Sequence, residues 1–138
     1  MTRLAVLSLI CFAAAFAADE AKLKRVPAKA RLSHEGKDVY GDHCAVCHGM
    51  DGRGNGPAVA ALKASPGDLT LISRRNGGRF PVIRLQRMLS GEGDEIVAHG
   101  SREMPMWGQI FRLTSPHPDA GKAKVYNLVK HLESMQAK

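Results

Sequence analysis

Cys44 and Cys47 stand two residues apart with His48 directly behind the second, in the run Cys44-Ala45-Val46-Cys47-His48. Three chemistries use such a pair. Two thiols at this spacing can close and open a disulfide, they can supply half of a four-ligand zinc site, or they can tether a haem. In the third case the thiols reach vinyl groups on adjacent pyrrole rings, and the following histidine is carried beneath the iron, where a neutral imidazole nitrogen can bind. A thioredoxin-type dithiol wants strands around the motif, and zinc needs two further ligands where no second cysteine pair exists.

The start of the chain bears on that choice. Arg3 precedes an apolar run from Leu4 to Ala18, and Ala15-Phe16-Ala17 has the small-x-small pattern of a signal-peptidase site. Residues 1–17 read as a signal peptide cut after Ala17, 18–32 as a basic leader interrupted by Pro27, and 33–138 as one domain. The apolar run is shorter than the roughly 20 residues of a spanning helix, so an uncleaved anchor is the lesser reading and a soluble, periplasmic protein the expectation. Cys11 lies within the run and leaves with it. Export, the trailing histidine and a helical pattern together favour one covalent haem.

An iron held on one side by His48 and used for electron carriage needs a second axial ligand. Met104 is the leading candidate: Pro105 restrains the loop behind it, and 56 residues separate it from His48. A thioether is a soft ligand that favours ferrous iron. Met106, His99, Met88 and Met50 compete for the role, and methionine is also an ordinary core filler.

Mostly helical elements must position these groups. Ser33 can cap a first helix over about 34–44, with Glu35 and Asp38 suited to the positive end of its dipole. Gly36 and Tyr40 share a face, where glycine permits close approach of another helix. Gly49, Gly52, Gly54 and Gly56 predict an irregular loop over 49–57, followed by a short helix over 57–63. Pro81 opens a further helix with a Val82, Leu85, Met88, Leu89 stripe, ended by Gly91. Residues 92–99 suggest a brief helix, 100–108 a loop, and 119–135 a last helix burying Val125, Leu128, Val129 and Leu132. No alternating strand pattern stands out. Aromatic residues make up only 5% of the chain, which suits a core completed by a large flat cofactor.

These features together resemble the bacterial class I c-type cytochromes: the export signal, the CxxCH at 44–48, the glycine loop ending in Gly56-Pro57, the Met104-Pro105-Met106-Trp107-Gly108 segment and the final helix. The resemblance implies an all-α domain wrapped around one haem c, with its first and last helices packed together. It also implies thioethers at Cys44 and Cys47, His48 as proximal ligand and Met104 as distal ligand. Pro57 resembles the proline whose carbonyl accepts the proton of the proximal imidazole, and Gly36 and Tyr40 resemble the pair that packs on the last helix. His131 departs from the pattern, standing where the family has an aromatic residue before Leu132.

Asp51-Gly52-Arg53-Gly54-Asn55-Gly56 lacks the oxygen ligands of a calcium loop and the lysine of a phosphate loop. Arg74, Arg75, Arg79, Arg84 and Arg87 follow one another without an intervening acid. They form a solvated face, a propionate contact, or an attraction for redox partners with acidic docking surfaces. The net charge is +7, but residues 33–138 carry fourteen basic and eleven acidic side chains, so the domain itself is mildly basic. Export separates the protein from nucleic acid. The reading is a monomeric electron-transfer protein and not an enzyme, either a free carrier or a subunit of a redox complex that meets membranes only through its partner or an uncleaved signal. The alternative is a haem-based sensor or a peroxidase-like enzyme with a weak or absent distal ligand.

Overall fold

Acidic residues mark the start of the first helix. In the computed structural model, which describes residues 33–92 and 104–138, α1 spans Gly36–His43 with Glu35 at its N-cap and Asp38 in its first turn. The carboxylates complement the helix dipole there. Ser33 acts one step earlier than expected, its hydroxyl accepting from the Glu35 N–H at 3.1 Å rather than from the helix itself. The single helix expected over 34–44 is broken at Cys44 (φ −108°, ψ −38°), where a second short helix, α2 (Ala45–His48), begins. The signal segment, the leader, Cys11, the brief helix anticipated over 92–99 and His99 lie outside the described residues.

After the glycine loop the chain makes a 3-10 turn, Val59–Ala61, in place of the expected helix over 57–63. A second 3-10 turn, Leu69–Leu71, runs into α3 (Ile72–Arg75). Asp68 caps this unanticipated piece, its carboxylate accepting from the Thr70 amide at 2.8 Å and hydroxyl at 2.6 Å. Helix α4 covers Val82–Ser90 and stops at Gly91, whose φ of 74° is left-handed. There Glu92 N–H reaches back to the Arg87 carbonyl at 2.9 Å and Gly91 N–H to that of Met88, closing the helix end.

Trp107–Thr114 form α5 where a loop was expected to continue through Gly108. Gly108 is a packing point here: a Cβ on it would stand 2.5 Å from the Ser90 Cα and 2.8 Å from the Leu89 carbonyl oxygen. Its lack of a side chain brings α5 against the end of α4. The last helix, α6 (Pro118–Ser134), matches its expected bounds within a residue at each end, with proline in its first turn.

Helix α6 is the spine on which α1, α4 and α5 pack. Its apolar stripe of Val125, Leu128, Val129 and Leu132 is buried, together with Val39 and Tyr40 of α1, Leu85 and Leu89 of α4 and Phe111 of α5. Among the described residues there is no strand, as the sequence pattern indicates. Gly36 sets the crossing of α1 and α6, because a Cβ there would collide with the Asn127 carbonyl and come within 2.9 Å of the His131 Cβ. Asn127 strengthens the contact by donating to the His34 carbonyl at 2.7 Å. His131 occupies the aromatic position of the crossing, its ring 5.3 Å from that of Tyr40.

Two outcomes follow for stability. Gly36→Ala forces the crossing apart and lowers the urea-unfolding free energy by about 1–3 kcal/mol. Gly41→Ala, one turn on and meeting only the Met50 methyl at 3.9 Å, is neutral or stabilises by up to about 1 kcal/mol. Equal losses for the two variants would refute the close-approach argument. For His131, burial first and then the Lys37 charge hold the imidazole below its ordinary 6.5; Glu35, Lys37 and Lys130 border the same crevice. The unfolded chain therefore takes up this proton first as pH falls. Its contribution to stability is complete above about pH 6.5 and declines below it, and His131→Phe should flatten that part of a stability-versus-pH curve.

Candidate functional site

The break at Cys44 turns the chain so that both thiols and the histidine fall within one four-residue helix and its cap. Cys44 N–H donates to the Tyr40 carbonyl at 2.8 Å, ending α1, and the Cys44 carbonyl accepts from His48 N–H at 2.8 Å, beginning α2. A helix this short leaves its last carbonyls without partners of its own. The glycine loop supplies them: Ala58 N–H donates to Val46 O at 2.9 Å, Gly56 N–H to Cys47 O at 3.1 Å and Gly54 N–H to His48 O at 2.8 Å. Such an approach has no room for side chains. A Cβ on Gly56 would lie 2.6 Å from both the Ala45 carbonyl oxygen and the Cys47 carbonyl carbon, and one on Gly54 would collide with the Pro66 carbonyl.

His48 is held by a different residue from the one expected. Its Nδ1 lies 3.2 Å from the Gly67 carbonyl oxygen, so the accepting carbonyl belongs to the Pro66-Gly67 turn and not to Pro57, which is exposed on the outer side of the loop. The physical reason is the loop's closure. Ala58 N–H is committed to Val46, which fixes the 56–58 stretch against α2, whereas Leu69 N–H bonded to Gly52 O at 2.7 Å brings the 66–69 turn alongside. With the proton on Nδ1, the Nε2 lone pair is left to act as a ligand. Burial lowers the His48 pKa, opposed in part by the Gly67 carbonyl, so the ring is neutral at ordinary pH.

Tyr40 ties α1 to the same turn. Its hydroxyl donates to the Gly49 carbonyl at 2.6 Å in a buried bond. Burial above all, with Cys44 and Asp51 adding to it, pushes the phenol up to about 12. Burial, then Cys47, likewise pushes the Cys44 thiol up to about 12. Dithiol redox sites depend on a thiol with a depressed pKa, and Cys44 has the opposite. Among the described residues no group of three or more His, Cys, Asp or Glu side chains converges.

Met104 opens the irregular segment ahead of α5, 44% exposed, with Met106 similarly placed at 43%. The Met106 sulfur lies against the end of α4, 3.4 Å from where a Cβ on Gly91 would stand. Trp107, the next residue, packs on His43 with ring centroids 4.9 Å apart, and His43 also meets Phe111 at 5.1 Å. This His43 contact escaped sequence reasoning, although its position one residue before Cys44 was a signal. It joins the methionine segment to the residue preceding the CxxCH turn. Leu69, Ile72, Phe80, Val82, Met88 and Trp107 pack on the core while remaining only part-buried.

Neutral imidazole, two thiols on one turn and an adjoining apolar wall match the donor chemistry and surface that a haem c requires. The family model described as "Cytochrome C oxidase, cbb3-type, subunit III" matches residues 31–116. The chain belongs to that family. It is a c-type cytochrome domain, and with membership come covalently bound haem c and haem-based electron transfer. No curated protein and no solved structure matches it. The all-α expectation agrees with both the family and the helical architecture.

Paired glycine substitutions test the closure of the turn in this cytochrome. Gly56→Ala should cost about 1–3 kcal/mol and reduce the yield of haem-stained protein. Gly67→Ala, where an added Cβ meets nothing within 4 Å and the carbonyl facing His48 is retained, should preserve both. Haem staining and urea unfolding of the two variants provide the measurement.

Proposed function

We propose that this protein is an exported one-electron carrier whose single haem is tied by thioethers at Cys44 and Cys47 and ligated by His48 Nε2 and Met104 Sδ. The supporting observation is the setting of His48: its Nδ1 lies 3.2 Å from the Gly67 carbonyl oxygen and burial lowers its pKa, on the turn that holds both thiols. Cys44 and Cys47 would hold the group through one thioether each, every S–H adding across one vinyl double bond with sulfur on one carbon and hydrogen on the other. Bound in this way, the cofactor supplies an iron centre that passes between two oxidation states by outer-sphere transfer.

The chain's own residues keep that centre still. Gly54, Gly56 and Ala58 hold the backbone of the ligand turn, Tyr40 anchors its end through Gly49, and Gly67 orients the imidazole. Of the two methionines in the 104–108 segment, Met106 is engaged against Gly91, which favours Met104 as the thioether donor. Pro105 restrains the backbone behind it. Residue 104 precedes α5, whose Trp107 and Phe111 rest on His43 beside the ligand turn.

The protein works in the periplasm, reached through the signal ending at Ala17, and meets redox proteins with acidic docking surfaces. The matched family is described as an oxidase subunit, which favours membership of a larger redox assembly over a free carrier. No helix among the described residues is long and apolar enough to cross a membrane.

Mass spectrometry of the secreted protein under denaturing conditions should find the chain cut after Ala17 carrying one inseparable haem. Met104→Ala should convert the low-spin spectrum to one that readily takes up carbon monoxide, whereas Met106→Ala should leave it low-spin. An unchanged spectrum in Met104→Ala would transfer the ligand role to Met106 or His99, and a pigment that dissolves away in acidified solvent would remove the thioethers from the proposal.

A further inference from the structure

A groove of about 410 Å³ runs between α4, α5 and α6, with no residue of the CxxCH turn in its lining; Ile83, Val125 and Tyr126 are among its apolar lining and Arg87, Arg112 and Lys122 among its charged lining. Its volume is that of a small binding pocket. Two glycines fix its walls. Gly108 presses α5 onto Ser90 and Leu89, and Gly121 brings α6 within 3.0 Å of the backbone of Phe111 and Arg112, measured from where its Cβ would stand. The groove is therefore a product of the helix packing.

Two large apolar side chains stand open in it: Ile83 is 68% exposed and Tyr126 52%. Exposed apolar groups ringed by charge mark interaction surfaces, and tyrosine and arginine are enriched in them. The surrounding charge is predominantly positive. Helices α4 (VIRLQRMLS) and α5 (WGQIFRLT) bring Arg84, Arg87 and Arg112 and contain no carboxylate. Among the described residues two acids pair with these cations: Glu92 is 3.9 Å from Arg112, and Asp119 is 3.5 Å from Lys122. Both pairs are mostly solvent-exposed, and such pairs are weak enough to exchange for a partner's carboxylates.

We propose that this groove is a docking site for an acidic amphipathic helix of a protein partner, its apolar side chains seated on Ile83 and Tyr126 and its carboxylates meeting Arg87, Arg112 and Lys122. The inference deepens the electron-carrier reading and rests on it only in taking the partner to be a redox protein. The groove gives such a partner a grip separate from the ligand turn, so that the two proteins can stay together while electrons pass elsewhere on the surface.

The test uses the secreted haem-loaded protein and a fluorescent synthetic peptide with leucines at i, i+3 and i+4 spacing and glutamates between them. Fluorescence anisotropy should show binding that weakens as salt rises. The binding should fall about tenfold or more in Arg87→Glu/Arg112→Glu, and similarly in Ile83→Ser/Tyr126→Ser, whose altered side chains are exposed and whose fold should persist. Amide shifts on peptide addition should cluster on α4, α5 and α6. Equal binding of a lysine-for-glutamate peptide, or undiminished binding by both double variants, overturns the proposal. So does binding of phosphatidylglycerol vesicles without the peptide, which would make the groove a lipid contact. The optical spectrum of the same samples separates the two readings: lost peptide binding with an intact low-spin haem removes the groove alone, and retained peptide binding with a high-spin haem removes the ligation alone.

Discussion

Three backbone hydrogen bonds from the glycine loop to α2 are the constraint on which the rest of the site depends. A four-residue helix has too few internal bonds to persist by itself, since nucleating a helix costs more than one turn returns. Here the carbonyls of Val46, Cys47 and His48 receive the N–H groups of Ala58, Gly56 and Gly54 in reverse order along the chain. The loop acts as an external cap for the turn that carries the cysteines and histidine. Glycine at 56 is a steric requirement of that contact, because a Cβ there would meet the carbonyls of α2, while glycine at 54 is required by the Pro66 carbonyl beside it.

The same use of small residues organises the helices. Gly36 meets α6, Gly108 meets α4, and Gly121 meets α5. Between these contacts the buried stripe of α6 collects Val39, Tyr40, Leu85, Leu89 and Phe111 into one core. Tyr40 and His43 connect that core to the site, the first through its hydroxyl on Gly49 and the second through its rings on Trp107 and Phe111. Helix α1 thus serves both as a packing element and as the base of the CxxCH turn.

Features encoded in local chemistry were legible in the sequence. The CxxCH spacing, the Gly91 stop, the stripe of α4 and the buried face of the last helix follow from patterns within a few residues, and the Gly36–Tyr40 pairing with that helix followed from the resemblance. What escaped depended on distant partners. Gly108 looked like a helix breaker because its neighbours in space, Ser90 and Leu89, are remote in sequence. The Asp68-capped turn and α3 are too short to show a periodic stripe. Pro57 was assigned the carbonyl contact to His48 on family pattern, but commitment of Ala58 N–H to α2 turns that stretch away and leaves the task to Gly67. Local pattern does not specify whether the carbonyl facing the His48 ring comes from Pro57, nine residues on, or from Gly67, nineteen residues on.

Backbone ties have a consequence for electron transfer that side-chain ties would not. An electron moves fastest when its donor site changes little in geometry between oxidation states, and side chains respond to a change of charge by rotating while a doubly bonded backbone does not. The ring of His48 is oriented by a carbonyl, its peptide is held by the Gly54 amide, and the turn ahead of it is held by Gly56 and Ala58. None of these partners is ionisable, so none gains or loses a proton as the iron changes charge. The phenol of Tyr40, pushed up to about 12, adds a fifth tie that also stays protonated. The environment of the proposed proximal ligand is therefore made of fixed dipoles, which is the arrangement that keeps reorganisation small.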